Sequence, residues 1–370
     1  MASVLHYKTK FLNSSETFIH RLVSNHKRYD PLALCYIKKD FSSDIPVYQA
    51  PKSSLSGLVN SASFHLNRSL PFYRSTIQKL RPDVIHSHFG YDAYKLLDIA
   101  HSEKIPHVVS FYGSDVSRLP HEFGWKSRYK KMAALVSHFI AASVFMKKQL
   151  IDLGFPSEKI SVIYFGLDLE ALTFQEKSFG DLNILMAGRL VEKKGFEYAL
   201  KAISMLKLRG IEIPITLFGD GPLMHSLKKL ASDSGIENQV HFRGFQPVSE
   251  ILKAHSNHSL FLAPSVTASD GDMEGLPNTI LEAMAKGTPV IATEHAAIPE
   301  ALTHQESGFL VEERNSIAIA NCIEKVIRKR HQLIEVAKNA RIKVEKSFTI
   351  QNMVQQVEKI YDLARSQFER

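Results

Sequence analysis

Short apolar, β-branched runs alternate along this chain with stretches whose apolar residues recur every three or four positions, the pattern of βαβ units. The second half shows it most clearly. Strands are predicted over 183–187, 213–218, 240–242, 259–263 and 289–292, with helices over 196–208, 222–234, 248–255 and 277–286 and a late helix from Ser316. That order implies a parallel sheet covered by helices on both faces, with ligands at the carboxyl ends of the strands. The first half repeats the pattern less cleanly, with strands predicted over 32–36, 84–86, 107–111, 139–142 and 160–163. The stretch 166–181 breaks the alternation and reads as an inter-domain connection. The expectation is an α/β chain of two doubly wound, Rossmann-like domains, 1–168 and 169–349. An amphipathic helix over 350–370 follows, with no strand of its own and packing back on the N-terminal domain.

Composition supports this picture: 370 residues at 44% apolar content suffice for two ordinary cores. Cys35 and Cys322 lie far apart and make neither a disulfide framework nor a CxxC motif, so a reducing compartment fits. Behind Met1 there is no apolar segment preceded by basic residues, so no secretory signal is expected and the site of action is taken as cytoplasmic. The apolar stretch from Met132 to Met146 is too short for the ~20 residues of a membrane span. It reads instead as a helix end, a buried strand, and a new helix capped by Ser143.

Charge is unevenly placed. Residues 1–170 hold 22 Lys and Arg against 14 Asp and Glu, whereas 171–370 hold 24 of each, so the whole excess of +8 lies in the first half. A basic domain suits nucleic acid, an anionic membrane surface or an anionic substrate. Nucleic-acid-binding signatures are absent from the sequence. Basic and aromatic residues mix in the stretches 65–74 and 125–131, as at an anionic interface.

The densest chemistry lies between Ser265 and Pro289. Pro277 suits the first position of a helix and Gly287 the residue just past its end. The free amides and positive dipole end of that helix form an anion site, which Gly275 lets a ligand approach closely. Glu274 and Glu282 flank it. A phosphate would repel both, so hydroxyl groups are their natural partners; taken alone, the spacing equally suits a first-turn charge and a solvated helix residue. After the strand at 183–187, Gly188-Arg189-Leu190 and Lys194-Gly195 place a cation pair where a diphosphate could bind. The turn Gly219-Asp220-Gly221-Pro222 follows the next strand but lacks the third glycine of a dinucleotide fingerprint.

As an ordered set with Gly244-Phe245 and Glu274-Gly-Leu-Pro-Asn-Thr-Ile-Leu-Glu282, these segments closely resemble family 4 retaining glycosyltransferases of the GT-B fold, in which two Rossmann-like domains face across a cleft. Ser15-Glu16-Thr17-Phe18, Asp83 to Gly90, Gly113-Ser114-Asp115 and Gly166-Leu167-Asp168 extend the likeness to the first half, in the manner of enzymes of bacterial surface polysaccharides. The resemblance implies that Arg189 and Lys194 bind the diphosphate of a nucleotide sugar. Glu274 with Gly275 and Leu276 would hold the transferred sugar, Thr279 would add to the donor site, Glu282 would take ribose hydroxyls, and Gly244 and Phe245 would lie against the base. Glu16, His88, Tyr112 and Asp115 would belong to the sugar and acceptor side. The implied reaction moves a hexose to a glycan or lipid-linked acceptor with retention and without a metal or other cofactor, at the inner face of a bacterial membrane.

Two departures stand out. Tyr112 occupies the place of a common family His before the Gly-x-Asp turn, and Ala296-Ala297 replace the usual glycines before Ile298-Pro299-Glu300. Asp270-Gly271-Asp272 imitates a metal signature of another glycosyltransferase fold but reads as an acidic loop. His86 and His88, two apart on a strand, could bind a metal, but no third ligand is evident, and His88 reads as a polar contact in the cleft or as a satisfied structural His. A sugar-nucleotide epimerase of the same shape and a non-catalytic nucleotide-sugar-binding subunit remain as alternatives.

Overall fold

A computed structural model describes residues 1–11, 16–39, 44–51 and 69–368. Ser15, and 65–68 of the first basic and aromatic stretch, lie outside the described residues. The chain divides into two units, Met1–Gly166 with Ile350–Arg370, and Leu167–Thr349. The boundary expected at 168 thus falls at 166.

The first unit contains β1 (Ala2–Tyr7), β2 (Lys10–Phe11), β3 (Tyr29–Cys35), β4 (Ile37–Lys38), β5 (Val47–Gln49), β6 (Val84–His88), β7 (His107–Phe111), β8 (His138–Ala141) and β9 (Ile160–Val162). Seven of them form one parallel sheet in the order β5-β3-β1-β6-β7-β8-β9, and β2 pairs with β4 beside it. Leu5 lies opposite Leu32 on one side and Ile85 on the other. The order reverses between β1 and β6, and a doubly wound sheet opens a crevice at the carboxyl ends of such a pair. Sequence periodicity does not reveal β1: Ser3 and His6 interrupt its apolar run, although Val4, Leu5, His6 and Tyr7 are all buried.

The second unit contains β10 (Ile184–Ala187), β11 (Ile215–Phe218), β12 (Val240–Phe242), β13 (Leu260–Ala263), β14 (Val290–Thr293) and β15 (Phe309–Val311). Their order, β12-β11-β10-β13-β14-β15, is entirely parallel and reverses between β10 and β13. Helices on both faces explain why every residue of β10 and β14 is buried. Helix Phe196–Leu208 spans the predicted residues and buries Phe196, Ala199, Leu200, Ile203 and Leu206.

Helix Trp125–Leu135, strand β8 and helix Val144–Asp152 replace any thought of a membrane span, and the Ser143 hydroxyl accepts the Met146 amide at 3.0 Å as the cap of the last. Among the described residues, no helix is long and apolar enough to cross a membrane. The terminal helix Ile350–Phe368 buries Ile350, Met353, Val354, Val357, Ile360, Tyr361 and Ala364 against Val4, Val84, Val108 and Ile140 of the first unit's sheet. Glu358, on the same helix, is also buried.

Candidate functional site

In the second unit, the loops after β10 and β13 meet at the reversal point. Two glycines permit close approach here: the first brings the loops after β10 and β13 together, the second those after β10 and β11. Gly195 has φ +62, and a Cβ there would lie 1.9 Å from the Pro264 carbonyl oxygen; a Cβ on Gly219 would lie 1.8 Å from that of Gly188. The first contact lays the Lys193-Lys194 turn against the segment leaving β13.

Lys194 Nζ reaches Glu274 Oε2 at 3.2 Å, while Lys193 Nζ reaches Asp272 Oδ2 at 3.1 Å, the Met273 carbonyl at 3.2 Å and Glu274 Oε1 at 3.8 Å. The Glu274 side chain is 10% exposed. Burial alone would raise its carboxyl, but Lys194 and Lys193 outweigh it and hold the group ionised below the ordinary value. Its Oε1 nevertheless has no hydrogen-bond partner. A buried carboxylate oxygen in that state is a strong acceptor for a hydroxyl. The Glu274 amide donates to His295 Nε2 at 3.3 Å, and His295 Nδ1 donates to Glu313 Oε2 at 2.7 Å. Burial lowers the His295 pKa, so the ring stays neutral and Nε2 can accept. Lys193, His295 and Glu313 thus secure Glu274. They are distant in sequence, and periodicity carries no sign of them.

Helix Asn278–Ala285 starts one residue later than predicted, because Pro277 is extended (ψ 123) and serves as its cap residue. No side chain caps it, which leaves its first amides and dipole end for an anion. Leu276 is buried, and Gly275 and Thr279 are half-buried at this terminus. Glu282 is 4% exposed, so it is an interior residue and not a solvated helix charge. Arg189 projects from the end of β10, exposed and without an ion pair to any described residue. Gly244 has φ +66 and its carbonyl accepts the Gly219 amide at 2.8 Å, tying the β11 and β12 loops together; Phe245 beside it is 70% exposed. Ala296 adopts φ +47, which explains why a glycine is expected there. Asp270 and Asp272 belong to a closed turn in which Asp270 accepts the Asp272 amide and Lys193 occupies the Asp272 carboxylate.

In the first unit, Glu16 precedes helix Thr17–Val23 and pairs with the buried Lys8 at 3.2 Å, which also lies 3.7 Å from Asp92 Oδ2. His88 and Asp115, expected on the sugar and acceptor side, are both fully enclosed. Asp115 accepts the amides of Gly90, Tyr112 and Gly113 at 2.9 to 3.1 Å and so holds the turn after β7. The half-buried Tyr112 turns its hydroxyl inward to His88 Nδ1 at 2.7 Å. His6, unmarked by the sequence pattern, joins His86 and His88 as the one trio among the described residues whose ligand atoms lie close enough for a metal ion, within 4.8 Å of one another. All six ring nitrogens already have hydrogen-bond partners.

The aromatic side chains of the basic stretches do not form a headgroup-facing surface. Trp125, Tyr129 and Tyr73 are buried in the core, because each helix is amphipathic and leaves its cations outside. Only the neighbouring Phe123 is fully exposed there.

Residues 170–343 match the model of the group 1 glycosyl transferases, and residues 44–171 that of glycosyltransferase family 4. The chain is 35% identical to the amylovoran biosynthesis glycosyltransferase AmsK of Erwinia amylovora over 72% of its own length and 66% of AmsK, just under two thirds of that relative. It is 33% identical to the putative colanic acid biosynthesis glycosyltransferase WcaL of Escherichia coli, over 73% of its length and 68% of WcaL. Its fold matches that of Anabaena Alr3699/HepE, solved in complex with UDP, with TM-score 0.79 at 20% identity over 97% of this chain and 99% of that one. Two doubly wound units with these matches identify the chain as a member of the group 1 and family 4 glycosyltransferases, with the GT-B architecture.

Proposed function

We propose that the protein transfers a hexose from a nucleoside-diphosphate sugar to a glycan or lipid-linked acceptor, with retention and without a metal, in bacterial polysaccharide synthesis. The observation that carries this reading is Glu274: an enclosed carboxylate held ionised by two lysines, with one oxygen lacking a hydrogen-bond partner, beside an uncapped helix N-terminus. A phosphate and a sugar hydroxyl side by side satisfy both features. Similarity to AmsK and WcaL supports the polysaccharide setting.

Arg189, Lys194 and the first amides of helix Asn278–Ala285 would neutralise the diphosphate as it departs, and donors aimed at developing charge are worth about 10²–10³ in rate each. Glu274 with the Gly275 and Leu276 backbone would hold the sugar, Thr279 and Glu282 the nucleoside end, and Gly244 with Phe245 the base. The bond from the anomeric carbon to the phosphate oxygen breaks, the acceptor oxygen bonds to that carbon on the same face, and its proton passes to the leaving phosphate oxygen. Charge neutralisation by side chains leaves no step that needs a metal, so turnover should persist in EDTA. The exposed Lys126, Lys130 and Lys131 with Phe123 suit reversible binding to an anionic membrane at the cytoplasmic face, each cation contributing ~1 kcal/mol.

Incubation with radiolabelled nucleoside-diphosphate sugars tests the reaction class. Slow hydrolysis or transfer with release of the nucleoside diphosphate is expected; interconversion of the sugar without release would establish an epimerase instead.

A further inference from the structure

The terminal helix joins the first unit's sheet through a buried polar network as well as through its apolar face. Glu358 Oε1 accepts the Lys27 and Arg28 amides at 2.7 and 3.0 Å and lies 3.3 Å from His26 Nδ1. His26 Nε2 lies 3.0 Å from His6 Nε2, His6 Nδ1 lies 3.0 Å from His88 Nε2, and His88 Nδ1 lies 2.7 Å from the Tyr112 hydroxyl. One helical turn on, the Tyr361 hydroxyl meets His86 Nδ1 at 2.6 Å, and His86 Nε2 meets Ser110 Oγ at 2.7 Å. Two hydrogen-bonded chains therefore begin at positions i and i+3 of one helix, and the first ends on the Tyr112 phenol.

The proton positions along the first chain follow from the chemistry of its ends. A carboxylate only accepts, and a neutral imidazole has one donor and one acceptor nitrogen. His26 Nδ1 must donate to Glu358, which leaves Nε2 to accept from His6 Nε2. His6 Nδ1 then accepts from His88 Nε2, and His88 Nδ1 accepts from the Tyr112 hydroxyl. Every bond is satisfied in one direction and in no other. The backbone amides of Lys27 and Arg28 keep Glu358 ionised against its burial, while burial keeps the histidines neutral.

We propose that Glu358, through His26, His6 and His88, fixes the direction of the Tyr112 hydrogen bond and thereby positions Tyr112 and the adjoining Gly113 turn for substrate. This rests on the transferase reading above. Glu358, His26, His6 and His88 are then positioning residues, and no proton moves during turnover. His6 and His88 are links of this relay and not metal ligands, because each N–H···N contact places a proton where a metal would need a lone pair, and both ring nitrogens of His86, the third member of the trio, are engaged by the Tyr361 and Ser110 hydroxyls.

Nitrogen-15 NMR of the full chain labelled at histidine tests the relay without any substrate. Neutral His26 with the proton on Nδ1, neutral His6 and His88 with protons on Nε2, and couplings across both N–H···N bonds are expected at pH 7.5. Other tautomers, or stoichiometric metal in the purified protein whose removal shifts these signals, would overturn it. For positioning, Tyr112→Phe and Glu358→Met should lower kcat about fivefold with donor KM changed less than roughly twofold, as for one lost hydrogen bond. Glu358→Gln, whose carbonyl keeps the amides of Lys27 and Arg28, should restore most of the rate. If Glu358→Met does not fold, Tyr112→Phe decides: full activity in that folded variant refutes positioning. Failure of every donor to react would count against the transferase reading and leave the tautomers to be judged on their own.

Discussion

Acid should unfold the first unit well before ordinary carboxylates titrate. Burial lowers His26 to about 4, against the rising influence of Glu358, and lowers His88 to about 3, with the Lys8 charge adding to the effect. His6 and His86 are pushed down in the same direction. In the unfolded chain these rings take up protons below their ordinary 6.5, whereas in the native state they do not. The unfolded state therefore binds more protons below that pH, and stability is lost progressively as pH falls from 6.5 towards the native values. Each such ring costs about 1.4 kcal/mol per pH unit. Between pH 6.5 and 4.5, His88 and His26 alone should remove about 5 kcal/mol, the scale of a whole domain's stability. Urea unfolding followed at pH 7.5, 6.0, 5.0 and 4.5 would show a falling midpoint, and calorimetry would locate the loss in the transition of the first unit. A midpoint unchanged from pH 7.5 to 5.0 would refute the reasoning, as would ring titrations near 6.5.

Three substitutions probe the second unit. Gly195→Ala forces a Cβ into the Pro264 carbonyl and should cost at least 2 kcal/mol or abolish donor binding, read by thermal melting and calorimetric titration. Ala296→Gly relieves the left-handed backbone at φ +47 and should raise stability by about 1 kcal/mol in urea unfolding. Arg189→Ala removes an exposed cation without an ion pair to a described residue, so the melting temperature should hold while donor affinity falls about tenfold or more for a lost charge-assisted contact.

The second sheet was readable because each of its central strands is a short apolar run followed at once by a helix with a 3.6-residue period, as with Ile184–Ala187 and Phe196–Leu208. The Glu274 loop was readable because proline and glycine bracket its helix. β1 was not, because it carries the polar His6 inward, where His26 and His88 receive it. The residues that brace these sites were equally hidden: Lys193 meets Asp272 across 79 residues and Glu358 meets His26 across 332, distances at which no local pattern operates. The basic stretches misled in one respect, because Trp125 and Tyr129 turn into the core while their cationic neighbours stay outside.

Titration calorimetry with a panel of nucleoside-diphosphate sugars, on the native protein and on Glu274→Gln, tests the central claim most directly. The account predicts that at least one donor binds the native chain and is slowly hydrolysed. The same nucleoside diphosphate without its sugar should bind both proteins alike, and the variant should lose the contribution of the sugar, about 1.5–3 kcal/mol for a hydrogen bond to a charged group. Equal binding and turnover of the donor by both proteins, or no binding of any nucleoside-diphosphate sugar to the native chain, would contradict it.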